Sequence, residues 1–502
     1  MKEKTSWDIA TEGTYTDMHV PPAFFIFVLA LALVIVAVPS VGMLWARTDS
    51  TTENRELAET PSLHVENGSF NWNILADAGD YFADHFAFRN HLVSANARIH
   101  AILGTSPTDQ VVIGLDGWLY YGGTLPDYLG QSALSDRALR NIAHNLALAQ
   151  GYVESQGAAF TFVLAPNKNT LYPAHMPYYY LQASQPSNAE RLRPLLEEGG
   201  VKYIDLFDMF GSSSQEWYLK KDSHWDSRGA LMVTQEIFAA LGRDALPLNV
   251  DESVPRTDFL GDLESMLYPI GAQPDQNWYF MGINDDEGMS GSSWTYAQGE
   301  NVTDSWVVTS SKDGQGSVLM FRDSFGNSLL PFWASSYKQG VFSKLIPYNL
   351  PMLAECKADT VVIERAERHL SYLAEKPPIM PNPIVNFKVS LPKSENTDFA
   401  TCDVTENGPY WVIAGMVDES AVTDTSRLFV SVELDGQDDA VFDAFWTSVL
   451  ESDNNDEMGT DFGYLVYASK DLLNIEGSAV SVYSLDGGNV TCLGVFENVS
   501  LS

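Results

Sequence analysis

The feature that most constrains this chain is the uncharged apolar segment AFFIFVLALALVIVAVPSVGML, residues 23–44. A helix of this length is long enough to cross the hydrocarbon core of a bilayer. A cleaved signal peptide is the alternative, but it would have a shorter apolar region and a more basic leader. We therefore predict a transmembrane anchor at 23–44, a cytoplasmic N-terminus at 1–22 and a juxtamembrane linker at 45–75.

Basic residues on the two sides of this segment hardly distinguish its two orientations. Lys2 and Lys4 precede it, and Arg47 and Arg55 follow it. A long acidic domain is translocated largely regardless of its charge, so its acidity does not oppose export. We expect a single-pass protein of the cell membrane whose large C-terminal part is extracellular.

The charge balance and the cysteine count exclude several classes of protein. The 502 residues include 66 acidic and 29 basic side chains, which gives a net charge of −37. A nucleic-acid partner is therefore not expected, because phosphate binding needs a basic face. Three cysteines are too few for a disulfide-rich scaffold or a four-cysteine zinc site. Cys402 and Cys492 lie within one C-terminal segment and are a candidate disulfide pair.

Alternating strand and helix patterns predict an α/β domain over residues 76–374. Buried strands such as AAFTFVLA and SVLMF alternate with amphipathic helices, one of which is capped by Ser135 and ends near Gly157. This alternation indicates a mostly parallel sheet with helices on both faces, the three-layer α/β/α arrangement.

From about residue 384 the pattern changes to short runs of alternating polarity, including PYWVIAGMV and RLFVSVELDG. Such runs predict an all-β, sandwich-like module over 384–502, joined by a Pro-rich linker at 375–383. The tyrosines and tryptophans of this module fit either a carbohydrate-binding platform or an ordinary core. The linker predicts that the module can be removed without unfolding the α/β domain.

Two loops of the α/β domain contain the residue types of a nucleophilic triad. Ser324 lies between the strand SVLMF and the helix that follows, where a serine is either an exposed nucleophile or a helix cap. Asp222 and His224 precede another capped helix, and alone they also fit a surface loop or a pair of metal ligands. Together the three supply a hydroxyl, an imidazole that takes its proton and a carboxylate that orients the imidazole.

Eight segments, all in the same order, resemble the alginate O-acetyltransferase family and its Gram-positive DHHW-type relatives, whose catalytic domain is similar to SGNH hydrolases. The resemblance covers about residues 50–372. The segments are ENRELAETPSL, DYFADHFAFRNHL, VIGLDGWLYYGG, APNKNTLYP, DSHW, GDLESML, FRDSFGN and VVIERAERHL. One departure is Arg322, where the SGNH pattern has glycine before Asp-Ser.

The resemblance implies Ser324 as nucleophile with Asp222 and His224 as its dyad, and it implies no metal and no cofactor. It also implies a polysaccharide acceptor and an acetyl donor, which a multi-pass membrane O-acyltransferase supplies. We therefore expect a membrane-anchored polysaccharide O-acetyltransferase. A glycan O-acetyl esterase with the same triad and a non-catalytic glycan-binding scaffold remain alternatives.

Five further residues are candidates for secondary roles. Asn167 and Lys168 end a strand at the same edge of the sheet, and Trp225 adjoins His224, so all three are candidates for substrate binding, with a turn or packing as the alternative. We expect Asp323 to cap the helix after Ser324. We expect Arg89 to pair with a nearby carboxylate.

Overall fold

The computed structural model describes residues 22–47, 57–65, 68–284, 294–296, 305–386, 392, 398–434, 438–449, 460–497 and 499. The predicted cytoplasmic N-terminus, apart from Pro22, and part of the juxtamembrane linker lie outside the described residues. The chain divides into two compact units, one formed by 1–103 with 265–272 and the other by 104–264 with 273–502.

The helices, numbered along the chain, are α1 (Pro22–Ala46), α2 (Ile74–His85), α3 (Arg89–Leu103), α4 (Leu125–Tyr128), α5 (Asp136–Ser155), α6 (Lys168–Leu171), α7 (Asn188–Glu198), α8 (Leu206–Gly211), α9 (Ser227–Ala240), α10 (Asp262–Leu267), α11 (Gly326–Ser336), α12 (Met352–Glu355) and α13 (Ser371–Glu375). Side-chain caps fix several starts. Ser135 accepts a hydrogen bond from the Ala138 N–H at the start of α5, and Asp226 caps α9.

The strands are β1 (Val111–Ile113), β2 (Leu119–Tyr121), β3 (Ala159–Ala165), β4 (Tyr203–Ile204), β5 (Val254–Phe259), β6 (Asp275–Tyr279), β7 (Trp294–Tyr296), β8 (Trp306–Ser311), β9 (Ser317–Phe321), β10 (Gln339–Ser343), β11 (Thr360–Ala366), β12 (Asp403–Asn407), β13 (Tyr410–Met416), β14 (Arg427–Val432), β15 (Ala440–Asp443), β16 (Phe445–Val449), β17 (Thr460–Ser469), β18 (Val480–Asp486) and β19 (Asn489–Phe496).

The first unit contains the apolar helix α1 and the helix pair α2 and α3. Helix α1 is long and apolar enough to cross a membrane. Helices α2 and α3 break one predicted helical stretch at Phe88, whose φ of 65° does not continue a helix. The Ala87 N–H donates to the carbonyl of Pro39 within α1, and Gly42 faces Ala87 so closely that an added Cβ would lie 2.6 Å from the alanine Cβ. A glycine at position 42 therefore permits the close contact between helix α1 and Ala87.

The centre of the second unit is a sheet whose described strands follow the order β4-β3-β11-β9-β10-β8-β7. The first five run parallel, and at one edge β8 pairs antiparallel with β10 and β7 pairs antiparallel with β8. Side chains alternate between the two faces: Val318 and Met320 of β9 pack on one side, and Leu319 and Phe321 pack on the other. Helices α9 and α11 cover the first face, and α5, α7 and α13 cover the second. The predicted three-layer α/β/α domain is confirmed.

The C-terminal strands form two antiparallel sheets, in the order β12-β13-β17-β16 and β15-β14-β18-β19 among the described residues. Their facing side chains make one apolar core that includes Trp411, Trp446 and Val430. The predicted sandwich is confirmed, and these two tryptophans lie in its core rather than on an exposed platform.

The connection between the α/β domain and the sandwich differs from the predicted separable linker. Tyr410, Phe445 and Tyr467 of the sandwich belong to the same apolar cluster as helix α5 and the sheet. Within 375–383, Met380 is fully buried, and the Asn382 side chain accepts from the Tyr467 N–H at 2.7 Å. This segment is thus a packed part of the core, because its apolar side chains face inward and its polar groups have fixed partners.

The candidate disulfide is not formed, and both Cys402 and Cys492 are free thiols. Cys402 precedes β12 and packs at the core between the two sheets. Cys492 lies on β19 with its side chain on the opposite face, against Phe429 and Tyr483. The sheet therefore separates the two sulfurs, a placement that sequence spacing does not reveal.

Candidate active site

The nucleophile candidate Ser324 lies in the short turn between β9 and α11. The N-cap position of α11 is Phe325, and no side chain caps this helix. Ser324 is therefore not the cap. Its Oγ lies 2.8 Å from Nε2 of His224. Asp323 accepts from the Phe325 N–H at 2.9 Å, so this carboxylate fixes the turn, in partial agreement with its predicted capping role.

The loop between α8 and α9 supplies the other two members. Asp222 and His224 stand just before Asp226, which caps α9, so the helix start fixes the loop. His224 Nδ1 lies 2.7 Å from Asp222 Oδ1, and the same oxygen accepts from the His224 backbone N–H at 2.9 Å. With Nδ1–H directed at the carboxylate, Nε2 is free to take a proton from Ser324. The predicted residues thus form one continuous hydrogen-bonded chain.

The charges of Asp222 and His224 stabilise each other, which favours an ionised Asp222 carboxylate beside a basic His224 imidazole. Burial alone would raise the pKa of Asp222. The attraction of His224 and the hydrogen bonds that the Asp222 carboxylate accepts instead lower this pKa to about 2. Burial opposes protonation of His224, yet the neighbouring Asp222 outweighs it and raises the pKa of His224 above its usual 6.5. The imidazole is therefore a stronger base than a free histidine.

A second carboxylate, Asp262, stands behind the histidine and was not predicted as a site residue. Its N–H donates to Asp222 Oδ2 at 2.8 Å, and its Oδ2 accepts from Ser223 Oγ at 2.5 Å. That carboxylate oxygen lies 3.8 Å from His224 Nδ1. Burial and then the charge of Asp222 raise the pKa of Asp262. The segment GDLESML contributes to the family resemblance, but nothing in its local pattern predicts this contact.

Metal binding is the other chemistry that this cluster suggests. Ligand atoms of Asp222, His224 and Asp262 lie within 4.8 Å of one another. The Asp222 oxygens, however, already accept from the His224 ring and from the Asp262 N–H, and His224 Nε2 faces Ser324. These hydrogen bonds match a triad with a supporting carboxylate. The candidate metal-ligand atoms are directed at one another rather than at a shared metal position.

A cavity of about 500 Å³ opens beside Ser324. The triad forms part of its wall. The remaining lining consists mainly of amide, hydroxyl, aromatic and aliphatic side chains, namely Leu219, Trp225, Ser227, Phe259, Leu260, Asp262, Asn277, Tyr279, Asn284, Asn327, Ser328 and Pro331. Such a mixture of hydrogen-bonding and apolar surface suits a sugar-sized ligand.

Lys168 holds the catalytic loop rather than facing a substrate. Its buried Nζ donates to the carbonyls of Leu119, Lys220 and Asp222 at 2.7, 2.8 and 2.9 Å. Its three N–H groups are all used in this way, which corrects the prediction of a substrate contact. Burial lowers the pKa of Lys168 to about 7.

The other two candidates for substrate binding are also buried. Asn167 donates from Nδ2 to Asp127 at 3.1 Å, and its own N–H donates to Glu367, so it secures the end of β3. Trp225 is 1% exposed and donates from Nε1 to Ser328, so packing is its main role, although it borders the cavity.

Arg322, the departure from the SGNH pattern, has a defined place under the nucleophile turn. Its side chain is buried, donates to the Asp323 carbonyl at 3.0 Å and contacts the Asn327 side chain. A Cβ on Gly326 would lie 2.6 Å from the Arg322 side chain, so a glycine at the start of α11 accommodates the arginine. The triad geometry is thus kept without the usual glycine.

Comparisons with known proteins agree with the motifs. Residues 111–271 match the family model described as the SGNH hydrolase-like domain of the acetyltransferase AlgX. This range includes Asp222 and His224 and ends before Ser324. The chain is 28% identical over 207 residues to the probable alginate O-acetylase AlgJ of Pseudomonas syringae pv. tomato, over 39% of this chain and 50% of that protein. The chain therefore spans about half the length of this relative.

Three solved structures are also similar. Bacillus cereus PatB1 is 18% identical with a TM-score of 0.40, over 51% of this chain and 97% of that one. A DHHW family protein from Eubacterium siraeum is 16% identical with a TM-score of 0.38, over 52% and 92%. The O-acetyltransferase domain of Pseudomonas putida AlgJ is 19% identical with a TM-score of 0.34, over 52% and 91%. From the family-model match and the AlgJ similarity, the resemblance to the alginate O-acetyltransferase family, with its SGNH hydrolase-like domain, is confirmed.

Proposed function

We propose that this protein is a membrane-anchored O-acetyltransferase that transfers acetyl groups to hydroxyls of a polysaccharide. One observation carries the proposal: the hydrogen-bonded chain Asp222–His224–Ser324, with contacts of 2.7 and 2.8 Å, at the edge of a cavity of about 500 Å³. The similarity to proteins described as acetyltransferase AlgX and alginate O-acetylase AlgJ supports acetyl as the transferred group.

In this mechanism, His224 Nε2 takes the Ser324 proton while Ser324 Oγ attacks the carbonyl carbon of an acetyl donor. The donor's leaving group departs with the proton that His224 returns, and an acetyl-serine remains. A sugar hydroxyl then gives its proton to His224 and attacks the acetyl-serine, and the Ser324 Oγ–carbon bond breaks as His224 returns the proton to Ser324 Oγ. Asp222 orients the imidazole and stabilises its charged form throughout.

The location of the enzyme is part of the proposal. Helix α1 is apolar along its whole length and carries no acidic or basic residue. We assign it as a single-pass anchor of the cell membrane, with the catalytic part extracellular and the acetyl donor supplied by a multi-pass membrane O-acyltransferase.

The test uses the full-length protein in detergent and a small activated acetyl ester. Ser324→Ala is expected to lower kcat by at least about 10³-fold, and His224→Ala by a similar factor, because the two residues act as one unit. Mass measurement after brief exposure should find one added acetyl group on the wild type and none on Ser324→Ala. Retained acetyl addition in Ser324→Ala would exclude this nucleophile.

Acceptor sugars then distinguish transfer from hydrolysis, the esterase alternative. A transferase should acetylate a bound oligosaccharide faster than it releases acetate, because a bound hydroxyl is positioned and water is not. Faster release of acetate with no acetylated sugar, across a panel of neutral and acidic oligosaccharides, would indicate an esterase instead.

A further inference from the structure

Arg368 has an unusual position for an arginine in such an acidic chain. It follows β11, and its Nε is buried without a hydrogen-bond partner among the described residues. In the described part of the chain no carboxylate forms an ion pair with its guanidinium. The group instead lies over aromatic rings, with Cζ 5.4 Å from the Tyr121 centroid and 5.4 Å from the Phe325 centroid.

The fold brings the segment of this arginine to the same edge of the sheet as Ser324. Strands β9 and β11 are parallel neighbours in which Phe321 pairs with Ile363, so the segments that follow them leave the same edge of the sheet. Asp323 joins the two segments, because its Oδ2 accepts from the Ala366 N–H at 2.8 Å.

Phe325, the residue after the nucleophile, is the common neighbour of the arginine and the catalytic histidine. Its ring centroid lies 4.7 Å from that of His224 and 5.4 Å from Arg368 Cζ. The guanidinium and the imidazole therefore pack against the same side chain.

The acidic groups around Arg368 accept hydrogen bonds from other donors. Asp127 accepts from Ser132 and Asn167. Asp323 accepts from the N–H groups of Phe325 and Ala366 and from the His369 ring. A guanidinium that forms no ion pair with a described carboxylate, and that packs on the residue after Ser324, is available to bind a negative charge that arrives with the substrate.

We propose that Arg368 binds the oxygen that becomes negative when Ser324 attacks the acetyl carbonyl. This inference rests on the proposed function. As the Ser324 Oγ–carbon bond forms, the carbonyl π electrons move to oxygen and the serine proton moves to His224. The guanidinium donates to that oxygen until the carbonyl re-forms and the leaving group departs with the proton.

Backbone groups alone supply less of this stabilisation than the nucleophile turn suggests. The Phe325 N–H, the first after Ser324, is already donated to Asp323 at 2.9 Å. A charged, planar donor compensates for this, since a guanidinium offers several N–H groups and a full positive charge. We therefore treat Arg368 as a catalytic residue of the acyl-transfer step.

The test compares Arg368→Gln with the wild type on an activated acetyl ester, using the full-length protein in detergent. The expected result is a fall in kcat/KM of about 10²- to 10³-fold, mostly in kcat, as for the loss of an oxyanion donor. Burial and then Arg368 lower the pKa of His224, although Asp222 and Asp262 outweigh them. Removing the arginine should therefore also move the rising limb of the pH–rate profile to higher pH, an effect that loose packing would not produce.

Arg243→Gln is the matched control. Its guanidinium also stacks on an aromatic ring, 3.9 Å from the Tyr337 centroid, but that ring packs against Phe238 and Trp333 and not against His224. Its kcat/KM should stay within about twofold of the wild type, since it makes no contact with reacting groups. Arg368→Lys keeps the positive charge but lacks the planar set of N–H donors of a guanidinium. This variant is expected to fold and to lose at least about tenfold in kcat/KM.

Two outcomes would overturn the inference. One is wild-type kcat/KM in either folded Arg368 variant, with Ser324→Ala inactive, so that the proposed function survives and only the role of Arg368 fails. The other is unchanged ester hydrolysis with weaker use of acidic oligosaccharides alone, which would make Arg368 an anchor for an acceptor carboxylate. An active Ser324→Ala protein would instead contradict the proposed function itself.

Discussion

The α/β layers and the β-sandwich place their polar side chains in opposite ways. In the α/β layers, buried polar groups such as Asp222, Lys168 and Asp323 meet at the carboxyl edge of the sheet, where the nucleophile lies. In the sandwich, the described core between the two sheets is apolar. The polar contacts that join it to helix α5 lie at its outer face.

Helix α5 shows what this difference means. Asn145 exchanges hydrogen bonds with the backbone of Trp446, at 2.8 and 3.2 Å, and Asn141 donates to the Asp461 carbonyl. The apolar side of the same helix packs on the sheet through Leu139 and Leu146. Helix α5 is thus buried on both sides, because the sandwich covers the face that would otherwise contact solvent. We infer that the sandwich stabilises the catalytic fold.

The largest expected effect is that of removing the sandwich. Deletion of 384–502 should leave an unfolded or aggregated remainder, because it exposes the apolar cluster that Tyr410, Phe445 and Tyr467 cover. Protease resistance and ester hydrolysis of the full-length and truncated proteins are the measurements. Removal of only 500–502 is the control and should change neither. A protease-resistant, active 1–383 fragment would restore the two-module interpretation.

A single side chain at the junction should have an intermediate effect. Arg137 is buried, donates to the carbonyls of Thr423, Asp424 and Ser426, and lies 3.6 Å over the Trp446 ring. Arg137→Met should lower the free energy of unfolding by about 3 kcal/mol, because buried carbonyls lose their donor.

Arg140→Met is the matched control on the same helix. Arg140 is partly exposed and pairs with the exposed Glu198 at 3.8 Å, so its loss should change the free energy of unfolding by less than about 0.5 kcal/mol. Denaturant titration followed by tryptophan fluorescence measures both variants. Equal effects of the two substitutions would mean that the junction contributes little.

The smallest expected effect concerns the catalytic edge itself. Burial lowers the pKa of His224, Asp222 raises it most, and Asp262 raises it further. Asp262→Asn removes that further contribution, so the pKa of His224 should fall and the rising limb of the pH–rate profile should move to lower pH. The pH dependence of kcat/KM on an activated ester is the measurement. A shift to higher pH, or no shift, would contradict this electrostatic role.

Much of the fold could be predicted because its signals are local. The helix that begins after Ser135 and the strands at 159–165, 317–321 and 360–366 follow directly from hydrophobic spacing and capping residues. The triad could also be proposed, since Asp222, His224 and Ser324 each follow or precede a recognisable element at one edge of the sheet.

What could not be predicted depends on contacts between distant segments. Strand β10, QGVFS, has only two large apolar residues, and half of β8, WVVTSS, is polar, so neither has a clear pattern of its own. Pro-rich sequence indicates a linker, but whether Met380 is buried depends on what packs on it. The contacts of Asp262 and Arg368 with the site arise only when separate loops meet at the sheet edge, and no local spacing encodes them.

The strand order of the sheet has a consequence for the making of the protein. Strand β3 pairs with β11, and the partners Ala159 and Thr360 are about 200 positions apart in the chain, which is typical of slow-folding topologies. During synthesis, one edge of β3 stays unpaired until β11 has been made. His224 is likewise synthesised well before Ser324. A chain that has not yet reached Ser324 therefore lacks a complete triad and is inactive. The unpaired edge of β3 that it exposes is prone to aggregation, and a chaperone would have to shield it.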